Sequence, residues 1–368
     1  MDIFFTSSFL PNKKYTTFNS LFEDLLPNKM LLVFDTNLVI LFREFYLNPK
    51  FFIQKHRSEE LEIVKYLIKN ISKYNIETDA TLGVDESSRK KKDFSKISTK
   101  WEQTHNALSL LLSVDVYSEK DLNLFIENKK IEEPIKDDSI FPETAFFLLK
   151  ENKDCFYINH LIAAYLSNLK IIYLFNLVEK QEVTAKEALM NFYTFMKEEI
   201  DILIARSLQL AIFIFGGLDE YKNIIFPKAN DPFNKKINKI LNGAVDILYP
   251  TLVDSFPNHK RKKGVFELKP VFVTADKRIS KLHSLTSTKA FFGDKSQINY
   301  MPEVMQFNYP KELKLTENDL SFFHDLFTKD VIYRYSNKQY KKGIDTSFLL
   351  DKCSEYETLL KKNWSNNN

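Results

Sequence analysis

A chain of 368 residues with 44% hydrophobic and 14% aromatic side chains can bury a sizeable core and exceeds the usual size of one domain. A net charge of +3 is nearly balanced, so global charge does not announce a nucleic-acid binder, and 7 glycines arranged as neither GxGxxG nor GxxxxGK exclude a nucleotide phosphate loop. The 2 cysteines, Cys155 and Cys353, are far apart in sequence, and the 6 histidines form no HExxH or Cys/His spacing; oxygen ligands remain for any hard cation.

Met1 to Leu10 has no basic start and only a short apolar run, so no signal peptide is expected and cytoplasmic residence follows. Phe18 to Leu26 places apolar residues at helical spacing. Leu31 to Phe34 then run apolar without alternation, as in a strand covered on both faces, and Asp35 stops the run in LLVFDTN. An acid at a strand's carboxyl end is a site candidate in an open parallel sheet. The competing reading is a helix N-cap, since Asp after a strand commonly satisfies the first free N–H groups of the next helix. Helices are expected over Leu38 to Phe45 and Ser58 to Ile71, the latter with Glu59 and Glu60 in a first turn that suits negative charge. GVDESSRKK follows, in which Glu86 precedes a hydroxyl pair and the basic run Arg89, Lys90, Lys91 and Lys92.

From about Trp101 to Ile225 the pattern is helical, over Asn106 to Leu112, Glu143 to Leu149, His160 to Leu177 and Thr184 to Phe215. Ile202 to Leu218 comes nearest to a membrane span but contains Arg206 and Gln209, so a core helix is expected and no membrane partner. Gly216-Gly217 marks the end of this region, with Pro227 and Pro232 leading back. Asn238 to Val253 is a helix interrupted at Pro250, in which Asp246 is flanked by Ala244, Val245, Ile247 and Leu248. A carboxylate in such company is expensive to bury unpaired. A second basic run, with Lys260, Arg261 and Lys262, precedes VFVTADKRI, where the strand Val271 to Thr274 leads to Asp276, Lys277 and Arg278. Two such strands paired in parallel bring Asp35 and Asp276 close, where like charges repel unless a cation lies between. Ala290 to Gly293 reads as a last short strand, and the chain beyond Pro310 as charged helix.

An apolar strand ending in DTN, a Glu on a following helix, an Asp within an apolar helix and a strand ending in TADKR together resemble the PIN domain, a metal-dependent nuclease fold. The resemblance implies an α/β/α sandwich on a central parallel sheet, interrupted by a large all-helical insertion and followed by a C-terminal helical extension. The expected divisions are 1–100 and 230–310 for the two halves of that domain, 101–229 for the insertion and 311–368 for the extension. It also implies that Asp35, Glu86, Asp246 and Asp276 bind Mg²⁺ or Mn²⁺, with Asn37 and Thr274 as supporting polar groups. Asp85, Glu77 or Asp79 stand as alternatives to Glu86. The implied chemistry is in-line attack of a cation-activated water on a phosphodiester, leaving 5′-phosphate and 3′-hydroxyl ends.

Single-stranded or structured RNA is the substrate implied first. Arg89 to Lys92, Lys260 to Lys262, Lys277 and Arg278 would neutralise phosphates without reading bases. The alternatives are a DNA nuclease of single strands or flaps in repair or defence, a PIN-like scaffold that binds nucleic acid or protein without cleaving, and a helical interaction protein whose acids merely cap helices. Self-association or a regulatory protein partner is the role expected of the insertion.

Overall fold

The computed structural model describes residues 2–55, 58–112, 119–150, 152, 155, 157–255, 268–292, 301–337 and 345–365. In chain order the elements are β1 (Phe4–Thr6), α1 (Phe18–Phe22), β2 (Met30–Phe34), α2 (Thr36–Leu47), α3 (Pro49–Lys55), α4 (Ser58–Tyr74), β3 (Glu77–Asp79) and α5 (Thr81–Ser87). There follow α6 (Ser98–Leu111), α7 (Glu119–Asn128), α8 (Phe146–Lys150), α9 (Ile158–Glu179), α10 (Ala185–Thr194), α11 (Ala205–Phe215), α12 (Asp219–Ile225) and α13 (Phe233–Ser255). The last are β4 (Lys269–Thr274), α14 (Lys277–Ser284), β5 (Thr286–Phe292), β6 (Met301–Phe307), α15 (Glu317–Ser336) and α16 (Thr346–Ser365).

The protein is mixed α/β and 65% helical, so its single four-stranded open sheet is a small part of the chain. The strand order is β1-β4-β2-β3. β2 runs parallel to β4 on one side and to β3 on the other, while β1 pairs antiparallel with β4. The sheet is therefore mixed rather than wholly parallel, an antiparallel edge strand closing a parallel centre. All five residues of β2 are buried, which is what its unalternating apolar sequence requires.

The chain forms two compact units. The first comprises residues 1–90, 95–139 and 253–284; the second comprises 91–94, 140–252 and 285–368. These divisions differ from those expected at 100, 230 and 310. α6 belongs to the first unit because α2 packs against it, with Leu108 and Leu111 in the same core as Leu38, Val39 and Phe42. The second unit has a core of its own, built around α9, α10, α11 and α16 with Leu161, Tyr165, Phe192 and Phe213 buried. Within it, β5 and β6 form an antiparallel ribbon that contains the strand expected near Ala290.

Two helical expectations change. Thr184 to Phe215 is two helices rather than one, because a π turn at Phe195–Glu199 leads to Asp201 at φ 55, where Arg334 donates to the Asp201 carbonyl at 2.8 Å. Pro250 does not interrupt its helix, and α13 runs through it to Ser255. Among the described residues the helix that comes nearest to a membrane span is α9, not Ile202 to Leu218. It has the length and composition of a membrane span, yet 72% of its apolar stretch is buried inside the protein, as in a core helix.

In the first unit a buried polar chain ties the end of α13 through α14 to the edge strand. His283 on α14 shares hydrogen bonds with Thr6 on β1 (Oγ1 to Nδ1, 2.8 Å) and Asp254 on α13 (Nε2 to Oδ1, 3.0 Å). All three side chains are fully buried. With Nε2–H donating to Asp254 and the Thr6 hydroxyl donating to Nδ1, both ring nitrogens are satisfied. Removing the imidazole would leave Asp254 without that donor in a dry interior. We expect His283→Ala to lower stability by about 3 kcal/mol, measured from urea unfolding; a loss below about 1 kcal/mol would contradict this role.

Candidate functional site

Parallel pairing fixes what meets at the carboxyl ends of β2 and β4. In the register Phe34 lies opposite Val273, and the Asp35 N–H continues the ladder onto the Val273 carbonyl at 3.0 Å. Asp35 is extended and then gives way to α2, whose first turn it caps: one carboxylate oxygen accepts the Leu38 N–H at 2.9 Å. Its other oxygen accepts the hydroxyl of Thr274, although the two residues are 239 positions apart in sequence. The same Thr274 oxygen accepts the N–H of Asp276 at 3.0 Å. One threonine therefore sets both strand-end acids.

Asp35 is buried and Asp276 is half-buried. Burial pushes the Asp35 carboxyl up to about 6. The Thr274 hydroxyl and the N–H groups of Leu38 and Ala275 oppose that rise, and the negative charge of Asp276 adds to it. Asp276 moves the other way. Burial alone would raise it, but the Arg278 guanidinium and the N–H groups of Ile279 and Arg278 hold it below the ordinary carboxylate range. Its Oδ1 accepts from the N–H groups of Arg278 (2.7 Å) and Ile279 (3.1 Å), and its Oδ2 from Nη2 of Arg278 (2.8 Å). Asp276 thus starts α14 as Asp35 starts α2, and both acids are helix caps as well as strand ends.

Glu86 reaches the same region from α5. Its Oε2 accepts the hydroxyl of Thr36, the residue after Asp35. Of the three alternatives to Glu86, Asp85 and Asp79 are otherwise engaged. Asp85 is buried and takes a fork from Arg89, with Nη2 at 2.9 Å from both oxygens and Nε at 3.1 Å from one. Glu77 is exposed. Asp79 is buried at the end of β3, level with Val33, and accepts the Thr81 N–H at 2.8 Å.

Four of the expected site residues lie in settings that the sequence did not foresee. Asn37 is exposed, and the hydroxyl that engages a site acid is that of Thr36; the helical turn after Asp35 points position 37 outward. Asp246 sits on the part of α13 that belongs to the second unit and is partly buried rather than enclosed by its apolar neighbours. What fixes that helix is close packing at Gly243, where a Cβ would come within 2.6 Å of the Ile224 carbonyl oxygen. Arg89 is not available to phosphate, because its side chain is 2% exposed and is paired with Asp85. Arg278 is half-exposed but committed to Asp276. Of the remaining basic candidates, Lys90 is half-buried while Lys91, Lys92 and Lys277 are exposed; Lys260, Arg261 and Lys262 lie outside the described residues.

Sequence reading missed two participants. Thr36 is legible only as the middle letter of DTN. Lys14 carries no motif, yet its amine lies 4.5 Å from the centre of the Phe4 ring and feels the charges of Lys277 and Lys281. Among the described residues no three His, Cys, Asp or Glu side chains are gathered as a metal ion would need. What the first unit assembles is a pair of strand-end carboxylates, with Glu86 held by the hydroxyl of the residue after Asp35. No protein-family model, no curated protein and no solved structure matches the chain.

The Asp35 shift has a definite sign. A carboxyl raised from an unfolded value of about 3.9 to about 6 binds its proton more tightly in the folded state, so stability falls as pH rises through that window. Asp35→Asn keeps a cap acceptor and removes the charge. In chelator, we expect it to raise stability at pH 7 by about 1 to 3 kcal/mol and to flatten the slope between about pH 4 and 6. A destabilised variant with an unchanged slope, seen in unfolding curves taken across that range, would contradict the burial of this charge.

Proposed function

We propose that the protein is a metal-dependent nuclease that hydrolyses phosphodiester bonds, RNA before DNA, with a site of the PIN type built on the first unit. The observation that carries the reading is the delivery of Asp35 and Asp276 to adjacent parallel strand ends, bridged by Thr274, with burial and mutual charge opposing the ionised form of Asp35. Structural ion pairs also perturb carboxylates, but a raised acid at the carboxyl edge of a parallel sheet is where function is expected.

The donor set fits Mg²⁺ or Mn²⁺. All the candidate ligands are oxygens, and Mg²⁺ characteristically takes one or two carboxylates and completes its shell with water and substrate phosphate. Asp35 and Asp276 would hold the ion, which when bound would supply an activated water and polarise the phosphodiester. The Asp35 oxygens accept from the Leu38 and Ala275 N–H groups and the Thr274 hydroxyl, which leaves about one of their roughly four lone-pair sites for a further partner. Thr274 fixes the separation of the two acids, and Glu86, held by the Thr36 hydroxyl, would add a third negative charge from α5. Arg278 neutralises Asp276 in the absence of an ion and is the group that must share or yield that carboxylate.

A second reading rests on that same ion pair. If Arg278 keeps Asp276 permanently, the acids serve as helix caps and the unit is a non-catalytic binding module. Incubation of the full chain with single-stranded RNA and DNA in Mn²⁺, with chelator as control, separates the two. We expect cleavage that chelator abolishes and that Asp35→Asn or Asp276→Asn each reduces by more than about a hundredfold, beyond the cost of losing a supporting hydrogen bond at a metal site. Full activity in both variants, or none in the wild type, would overturn the nuclease reading.

A further inference from the structure

Lys14, Lys277 and Lys281 stand on two segments that the backbone locks together. Tyr15 and Phe5 exchange N–H···O bonds of 3.0 and 2.8 Å, which holds the strand after the first turn against β1. The Asn12 N–H donates to the Ser284 carbonyl at 2.8 Å, which ties that turn to the end of α14. Lys14 lies between these anchors with its amine over Phe4, and Phe4 is in register with Thr274, the residue that sets Asp35 and Asp276. Lys277 follows Asp276 directly and Lys281 is one turn further on α14, so the two share a face. Lys14 and Lys277 are exposed and Lys281 is half-buried.

Burial and the charges of Lys277 and Lys281 hold the Lys14 ammonium below its ordinary value, with Asp2 opposing them. The frame thus gathers three basic residues on one face, where a polyanion would be attracted. We propose that Lys14, Lys277 and Lys281 grip the phosphodiester backbone of a single-stranded nucleic acid as it approaches Asp35 and Asp276. Lysine presents a compact point charge without the planar fork that reads a base edge, so the grip positions the strand and leaves sequence unread. Phe4 is 5% exposed beneath Lys14, so the patch presents charge and not an apolar wedge, which favours a solvated backbone over a lipid surface. This inference rests on the nuclease reading for its substrate, and its test is made on binding alone.

The full chain in chelator, where no cleavage occurs, is titrated with a fluorescent oligouridylate of about twenty nucleotides across a salt series. Vesicles of mixed anionic and neutral lipid form a parallel arm. Lys14→Gln, Lys277→Gln and Lys281→Gln combined should weaken oligonucleotide binding at least tenfold and reduce the slope of log affinity against log salt by about 2, from about 0.7 per phosphate contact. Arginine at the same three positions should restore it, which excludes misfolding. A control replacing the exposed Lys50, Lys180 and Lys228 by Gln should change both quantities much less. Equal effects of the two triple variants, an unchanged slope, or binding to vesicles in place of RNA would overturn the grip. Loss of cleavage with this binding intact would instead count against the metal site.

Discussion

The parallel pairing of β2 with β4 is the constraint on which the first unit depends. These strands come from opposite ends of the unit's chain, and their ladder closes only after a long excursion through the second unit. Such non-local pairing is entropically costly, and it is offset here by a dry centre in which every residue of β2 is buried. Once the register is set, nothing further is needed to bring Asp35 beside Thr274 and Asp276. The chemistry of the site is a by-product of which residues follow two apolar runs.

That placement creates a tension between folding and the proposed function. Asp35 serves as a helix cap, which stabilises α2, but it does so as a buried carboxylate beside a second acid, which opposes its charge. Asp276 resolves the same tension differently, by borrowing the guanidinium two residues along its own helix. The two acids therefore differ in readiness. Asp35 holds its proton into mildly acidic solution, whereas Asp276 is held below the ordinary carboxylate range and is already partnered by Arg278. A cation at this edge would reverse the first condition and compete with the second.

Much of this was legible in the sequence, and for identifiable reasons. Leu31 to Phe34 and Val271 to Val273 read as buried strands because apolar runs that do not alternate suit strands covered on both faces. Asp35 and Asp276 stood out because each ended such a run. Glu86 was separable from Asp85 only in three dimensions, since the deciding fact is that Arg89 one turn away takes Asp85 into the interior. The same fact removed Arg89 from the basic residues, because a charge run in sequence does not say which of its members folds inward. Asp246 misled through its apolar neighbours. A helix can bury positions 244, 245 and 247 and leave 246 partly in water, and a list of flanking residues hides that periodicity. Lys14 left no local signal at all, because its place beside Lys277 and Lys281 is made by backbone bonds between distant segments.

The central claim is that one cation belongs between Asp35 and Asp276. A crystal of the full chain soaked in Mn²⁺ and measured at the manganese absorption edge tests it most directly. The account predicts one anomalous peak within bonding distance of an oxygen from each of these acids, with Arg278 displaced from its present contact or sharing it. Arg278 still clasping Asp276, with no peak at the ends of β2 and β4, would contradict it.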